Sequence, residues 1–329
     1  FRALKRANYT NIIVKNKKEL DLTNQQATEH FFKTMQPEYV ILAAAKVGGI
    51  WANNIYRAEF IYDNLMIQNN IIHQSYLTKV KKLLFLGSSC IYPKNANQPM
   101  KENCLLTSEL EYTNEPYAIA KIAGIKMCES YNLQYNTNFI SAMPTNLYGI
   151  NDNFDLKTSH VLPAMIRKIH LAKLLYENRY DEILTDLKVT SIDEANTIFN
   201  EHQITNKSVT LWGTGKPKRE FLYVDDLADA SIFMMQNINF SDTFPNNDNQ
   251  IKNTHINIGT GEDITIKNLA LMIKEIAGFK GEIYFEPSKP DGTMRKLQDV
   301  SKINDLGWKH KTSLKQGIAK THNWFTGIN

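Results

Sequence analysis

Lys82-Leu83-Leu84-Phe85-Leu86-Gly87-Ser88-Ser89-Cys90, followed after a loop by Tyr117-Ala118-Ile119-Ala120-Lys121, decides how this chain is read. A short apolar run that stops at Gly predicts a fully buried strand of a parallel sheet. Tyr117 and Lys121 stand four apart in a good helix-forming segment and share one helix face. Alone, Tyr-x-x-x-Lys is common and mostly marks a solvated helix face. A Ser at a strand end ahead of it makes a proton-handling set. A phenol near an ammonium is expected to have its pKa lowered, because the positive charge favours phenolate. Such a Tyr can exchange a proton with a carbonyl or alcohol, and the Ser88 hydroxyl can hold the same oxygen.

Gly87-Ser88-Ser89-Cys90-Ile91-Tyr92-Pro93 and Asn114-Glu115-Pro116-Tyr117-Ala118-Ile119-Ala120-Lys121 resemble the extended short-chain dehydrogenase/reductase family. Further stretches match it: Ala43–Ile50, Met143–Gly149, Ser159-His160-Val161, Arg219–Asp226 and Ser288–Thr293. The resemblance covers nearly the whole chain. It implies an α/β fold, a doubly wound Rossmann-type parallel sheet with a smaller C-terminal α/β substrate domain. Residues 1–150 would bind NADP, with 220–240 returning to that domain, and 151–329 would mainly bind substrate. The implied reaction is the NADPH-dependent 3,5-epimerisation and 4-reduction of GDP-4-keto-6-deoxy-mannose. The implied cofactor contacts are Leu86, Gly87, Ser88, Ser89, Lys121, Pro144, Thr145, Asn146, Leu147 and His160. A homodimer built on a four-helix interface is also implied, with plain packing of those helices against the sheet as the alternative.

The chain has 329 residues, enough for one or two domains with a large core. Its net charge of +4 is small and its Lys and Arg are scattered, so nucleic acid is not the expected partner. No apolar run approaches 18 residues, so no spanning helix is expected, and no signal peptide is visible. Cys90, Cys104 and Cys128 form no Cys-x-x-Cys pair. The odd count speaks against a disulfide framework, and a reducing, cytoplasmic setting fits. No metal site is expected.

Phe1–Ala7 reads as the end of a helix and Ile12-Ile13-Val14 as a strand. A dinucleotide-binding fold should open with a strand and a Gly-rich turn at a helix N-terminus. No such turn precedes Ile12, so the residues are expected to be a piece of a longer protein. Lys15, Lys17 and Lys18 stand where an NAD-binding fold offers an acid to the ribose 2′-hydroxyl, and basic residues there suit the 2′-phosphate of NADPH. A solvated Lys cluster is the plain alternative. Helices are expected over Thr23–Met35, Ala58–Tyr76, Val161–Leu175, Ile266–Ala277 and Ser313–Phe325. Strands are expected at Tyr39–Ala44, Phe139–Met143, Val209–Gly215, His255–Gly259 and Ile283–Phe285. Lys46–Asn54 and Phe240–Asn253 read as loops, and Pro93–Thr113 as a loop with room for one helical turn. The stretch from Ala172 to Lys207 is about 15 residues longer than the family pattern requires. Ser191-Ile192-Asp193-Glu194 opens an extra helix there with a capping box, and a surface helical hairpin is the default reading.

A ketone at C4 acidifies the C–H bonds at C3 and C5. Inverting both centres needs a base on one face and an acid on the other. Cys90 and His160 titrate close enough to neutrality to serve. By resemblance Cys90 is the base and His160 the acid; plain packing and helix capping are the alternatives. Reduction then assigns Tyr117 as proton donor, Lys121 as its electrostatic partner and ribose ligand, and Ser88 as a hydrogen-bonding partner. At the nucleotide end Arg219 can grip a diphosphate bidentately. By resemblance Trp212, Asp291 and Lys168 join it, although the family usually shows Arg at the last position, and Lys offers a point charge instead of a fork. Another nucleotide-sugar epimerase or a 4,6-dehydratase is a competing reading. The absence of a carboxylate after Ser88 disfavours dehydration. A catalytically silent binding protein on this fold is the other.

Overall fold

Leu83, Leu84 and Phe85 are 0% exposed and lie inside a four-stranded parallel sheet. The computed structural model describes residues 1–245 and 250–327. Two units are stitched from alternating stretches of chain. Unit 1 comprises Phe1–Leu147, Val224–Gly261 and Gln298–Lys311; unit 2 comprises Tyr148–Tyr223, Glu262–Leu297 and the chain from Thr312 onward.

The first stretch opens with helix α1 (Arg2–Arg6) and α2 (Gln25–Met35). The Asn24 side chain caps α2 by accepting from Ala27 N at 3.0 Å. Strand β1 (Tyr39–Leu42), helices α3 (Ile50–Ile55) and α4 (Arg57–Leu77), strand β2 (Lys82–Leu86), helix α5 (Glu115–Tyr135) and strand β3 (Phe139–Pro144) follow. In register, Leu84 faces Ile41 of β1 and Ile140 of β3. Each apolar side chain buried in this way contributes about 1.5–3 kcal/mol. Helix α5 packs closely on β2 and α4 because Gly124 leaves room for Phe85 and Gln68: a Cβ there would lie 2.4 Å from the Phe85 ring and 2.9 Å from Gln68 Oε1. Gln68 Nε2 also donates to the Ala120 carbonyl at 2.6 Å.

Two expectations for this stretch are corrected. Ile12–Val14 is not a strand; no ladder partner pairs with it among the described residues, and Val14 is 63% exposed. An extended segment without a ladder or a buried face has nothing to hold it as a strand. Lys46–Asn54 is not loop throughout, since α3 begins at Ile50. The loop ahead of it is fixed by Asn64, which donates to Lys46 O and accepts from Lys46 N, both at 3.0 Å. Pro93–Thr113 is loop with a 3-10 turn at Glu102–Cys104.

The second stretch begins unit 2. After β4 (Asn146–Tyr148) come α6 (Val161–Tyr176), α7 (Tyr180–Leu187), α8 (Ile192–His202), β5 (Ser208–Trp212), β6 (Lys218–Arg219) and β7 (Phe221–Tyr223). Helices α7 and α8 form the expected hairpin. Arg167 of α6 holds it, with Nε on Asp186 Oδ1 at 2.8 Å and Nη2 on Asp186 O at 2.9 Å. Ser191 caps α8 by accepting from Glu194 N at 3.2 Å. The capping box is only half formed, because the Glu194 carboxylate accepts instead from Thr190 N at 2.8 Å.

The chain returns to unit 1 with α9 (Val224–Asn237) and β8 (Ile256–Ile258), which pairs parallel with β3. Of the expected loop Phe240–Asn253, Phe240–Thr243 is a 3-10 turn and residues 246–249 lie outside the described residues. Lys82 is buried under α9, its ammonium on the carbonyls of Met234 and Met235 at 2.8 Å each. The last turn of a helix leaves such carbonyls without intrahelical donors.

Unit 2 continues with β9 (Ile264–Thr265), α10 (Ile266–Ala277), β10 (Glu282–Glu286) and β11 (Arg295–Lys296). Strand β10 pairs parallel with β5, and β6 lies between β9 and β11. Helix α11 (Ser301–Asp305) belongs to unit 1. Helix α12 (Leu314–Thr326), opened by a full Ser313–Gln316 capping box, belongs to unit 2. Among the described residues no helix is long and apolar enough to cross a membrane.

Candidate active site

Strand β2 ends at Gly87, where a Cβ would lie 2.3 Å from Met143 Sδ on β3. A side chain at this position would have to displace the end of Met143. The turn continues as a 3-10 segment, Ser89–Ile91, and the Ser88 hydroxyl accepts from Cys90 N at 3.3 Å. Cys90 and Ser89 are buried and Ser88 is half-buried. Helix α5 brings Tyr117 and Lys121 to this turn. The Tyr117 phenol is hydrogen-bonded with Ser88, and its ring packs edge-on against Phe60 at 6.3 Å. Lys121 is 3% exposed, donates to the Leu86 carbonyl at 2.9 Å, and holds its ammonium 5.8 Å from the centre of the Tyr117 ring.

The electrostatics correct the expectation for Tyr117. Burial pushes its pKa well up, the nearby Cys90 adds to the rise, and the Ser88 hydrogen bond only partly offsets it. The Lys121 charge does not reverse this, because that ammonium is itself desolvated and committed to the Leu86 carbonyl. Burial pulls Lys121 down to about 8, against an opposing pull from Cys90. The protein therefore holds Tyr117 protonated next to a cation and a thiol.

At the end of β3, Pro144 and Thr145 are buried and Thr145 N donates to Ile258 O at 3.0 Å; Asn146 and Leu147 are half-buried. Parallel strands direct ligands to their carboxyl ends, and the turns after β1, β2 and β3 are the stretches singled out in the sequence. Lys17 is exposed in a turn in which Asn16 Oδ1 accepts from Lys18 N at 2.9 Å; its neighbour Lys15 pairs with Glu19 at 3.3 Å.

Unit 2 carries the remaining candidates. His160 is the N-cap residue of α6, but its side chain makes no capping hydrogen bond, so the imidazole is exposed and not spent on the helix. The half-buried Asp152 carboxyl is raised by burial, with the His160 charge working the other way; sequence reading missed this neighbour. Lys168 Nζ donates to the His202 carbonyl at 3.4 Å. Trp212 is 66% exposed at the end of β5, with Lys289 Nζ 5.6 Å from its ring, a pairing that sequence spacing gave no sign of. Arg219 is half-buried on β6 and donates to Lys218 O at 2.8 Å; burial lowers its pKa and Asp291 works against that. Asp291 accepts from Thr214 N at 2.6 Å and from Thr214 Oγ1 at 2.7 Å, so its carboxylate closes the turn after Trp212.

The model of the NAD dependent epimerase/dehydratase family matches residues 1–259. The chain belongs to this family. Among its members, GDP-L-fucose synthase 1 of Arabidopsis thaliana is 49% identical over 324 residues, covering 98% of this chain and 88% of that protein. A GDP-6-OMe-4-keto-L-xylo-heptose reductase from Campylobacter jejuni is 52% identical, with a TM-score of 0.95 over 100% of this chain and 93% of that one. A GDP-mannoheptose C4 reductase from the same organism, solved with NADP bound, is 51% identical, with a TM-score of 0.89 over 99% and 93% of the two chains.

For an epimerase/dehydratase family member, the donor set after β2 fits the nicotinamide half of a dinucleotide. Lys121 has spare ammonium hydrogens beyond the one on Leu86 O, and the Tyr117 phenol is protonated. Ser88, Cys90, Tyr117 and Lys121 are thus brought together within unit 1, while Lys168, Trp212, Arg219, Asp291 and His160 belong to unit 2.

Proposed function

We propose that this chain is an NADPH-dependent enzyme that epimerises GDP-4-keto-6-deoxy-D-mannose at C3 and C5 and reduces C4, giving GDP-L-fucose. The observation that carries the reading is the cluster of Ser88, Cys90, Tyr117 and Lys121 at the end of β2, with Cys90 and Lys121 buried and Ser88 and Tyr117 half-buried. Unit 1 binds the cofactor and unit 2 the nucleotide-sugar. Lys17 meets the 2′-phosphate. Leu86, Gly87, Ser89 and Pro144–Leu147 line the nicotinamide side, and His160 touches both cofactor and sugar. Arg219 and Lys168 neutralise the diphosphate, Trp212 offers its exposed face to the base, and Asp291 fixes the turn that presents that face.

Cys90 removes the proton from C3 and then C5, each acidified by the C4 ketone, and Lys121 stabilises the thiolate this requires. His160 returns a proton to the opposite face. NADPH, when bound, supplies the hydride to C4. Tyr117 gives its proton to the C4 oxygen; burial keeps the phenol protonated, the state a donor needs. Ser88 holds that oxygen in line. Incubation with the 4-keto sugar and NADPH should consume the reduced nicotinamide and give GDP-L-fucose by NMR; no oxidation with a folded protein would refute the reading.

A second reading, reduction of a GDP-4-keto-heptose, is favoured by the 51–52% identity to the two heptose reductases. Competition between the 6-deoxy-hexose and a heptose substrate decides between them. The protein acts as a homodimer through α4 and α5, which expose Tyr62, Leu77 and Ile119, and light scattering tests this. It works in the cytosol, where Cys90 stays a thiol.

A further inference from the structure

The last turn of the α7–α8 hairpin ends beside two candidates for the nucleotide. Lys168 is half-buried, and among the described residues no carboxylate pairs with it; its ammonium contacts only the His202 carbonyl, at 3.4 Å. The next residue, Gln203, is tied to the strand that ends in Trp212. Its carbonyl accepts from Thr210 N at 3.1 Å, and its Nε2 donates to Glu286 Oε2 at 3.2 Å. Glu286 is the register partner of Trp212 across β5 and β10. The end of α8 therefore stands against both Lys168 and the strand end that carries Trp212.

We propose that the last turn of α8 is a wall of the nucleotide-diphosphate subsite, in which Lys168 supplies a point charge and the His202 imidazole a hydrogen bond to the same phosphate oxygens. This rests on the reading of the substrate as a GDP-sugar. A lone Lys lacks the fork that Arg offers a phosphate, and His202 restores a second donor. The charged groups facing His202 are Lys168 of α6, Glu201 of its own helix, and Lys157 and Asp155 of the loop before α6. Lys157 is paired with Glu201 at 3.0 Å, which leaves Lys168 as the unbalanced charge. Burial first, and Lys168 next, hold His202 below its ordinary value, so it is neutral at pH 7 in the free protein. A bound diphosphate reverses the local charge and raises it. Binding then takes up a proton, and affinity falls as pH rises through the value in the complex.

Titration calorimetry with GDP-mannose, whose esterified diphosphate does not titrate between pH 6 and 8, tests this in Tris and in PIPES. The expected result is a buffer-dependent enthalpy showing uptake of a fraction of a proton, and binding several-fold tighter at pH 6 than at pH 8. His202→Ala should weaken binding roughly tenfold, the size of one hydrogen bond to a charged group, and abolish the uptake. His202→Gln, which keeps a donor, should regain most of the affinity without the uptake; it carries the test if the Ala variant does not fold. Parent-like binding by both variants, with no uptake in the parent, would overturn the inference alone. A parent protein that ignores GDP-mannose would overturn the substrate reading with it.

Discussion

Replacing Lys121 by Met tests the electrostatics of the site without relying on turnover. Burial brings the Lys121 ammonium from 10.5 to about 8. That shift corresponds to about 3 kcal/mol of folding stability lost at neutral pH. The sign follows from proton counting. Between the two values the unfolded chain holds a proton that the folded chain has released, so stability rises with pH across that window. From pH 7 to pH 9.5 the parent should gain about 2 kcal/mol from this group. Lys121→Met removes the gain. It also leaves the Leu86 carbonyl without its donor, at about 1–3 kcal/mol, so the net change at pH 7 is small. The readout is the difference in pH dependence, in which titrations not coupled to Lys121 cancel. Urea midpoints of both proteins at the two pH values measure it. If the variant gained as much as the parent, Lys121 would not be a desolvated cation. The variant should also lose reduction.

Three further outcomes follow from the same site. Tyr117→Phe should abolish net reduction yet leave solvent deuterium exchange at C3 and C5 largely intact; equal loss of both in a folded variant would show the roles to be wrongly divided. Cys90→Ser should cut that exchange by about 10²–10⁴-fold while NADPH and GDP-sugar still bind, and His160→Gln should fail at reprotonation; parent-like exchange in Cys90→Ser would remove epimerisation from the assignment. NADPH should be preferred to NADH in steady-state reduction, and Lys17→Glu should narrow that preference, whereas equal use of both coenzymes by the parent would refute the role given to the Lys cluster.

The parts of the fold that were legible carry their own local signals. The apolar run before Gly87 and the amphipathic stretch Ile266–Ala277 appear as read. Ile12–Val14 did not, because β-branched residues favour a strand only where a partner strand exists, and that is a tertiary fact. The grouping of Ser88, Cys90, Tyr117 and Lys121 was legible as a motif, but the direction of the Tyr117 shift was not. Spacing tells which charges are near and says nothing of how far water is excluded. Lys168 on His202 and Lys289 on Trp212 join residues far apart in sequence, so no local pattern announces them.

The buried polar knot of Tyr92, His255, Asn257 and Gln298 has a consequence for synthesis. Tyr92 hydrogen-bonds His255 Nε2 at 3.0 Å and Asn257 Oδ1 at 2.5 Å, and Gln298 Nε2 closes the knot on the Met143 carbonyl at 2.9 Å. A ribosome makes Tyr92 and Met143 long before Asn257 and Gln298 emerge. Until then the nascent sheet stands with β3 as a bare edge and buried acceptors waiting for donors. Loop closure over such separations is slow, and the waiting edge is a template for pairing with other chains. Translation that pauses between Leu147 and Val224 should therefore lengthen the time this edge spends on chaperones.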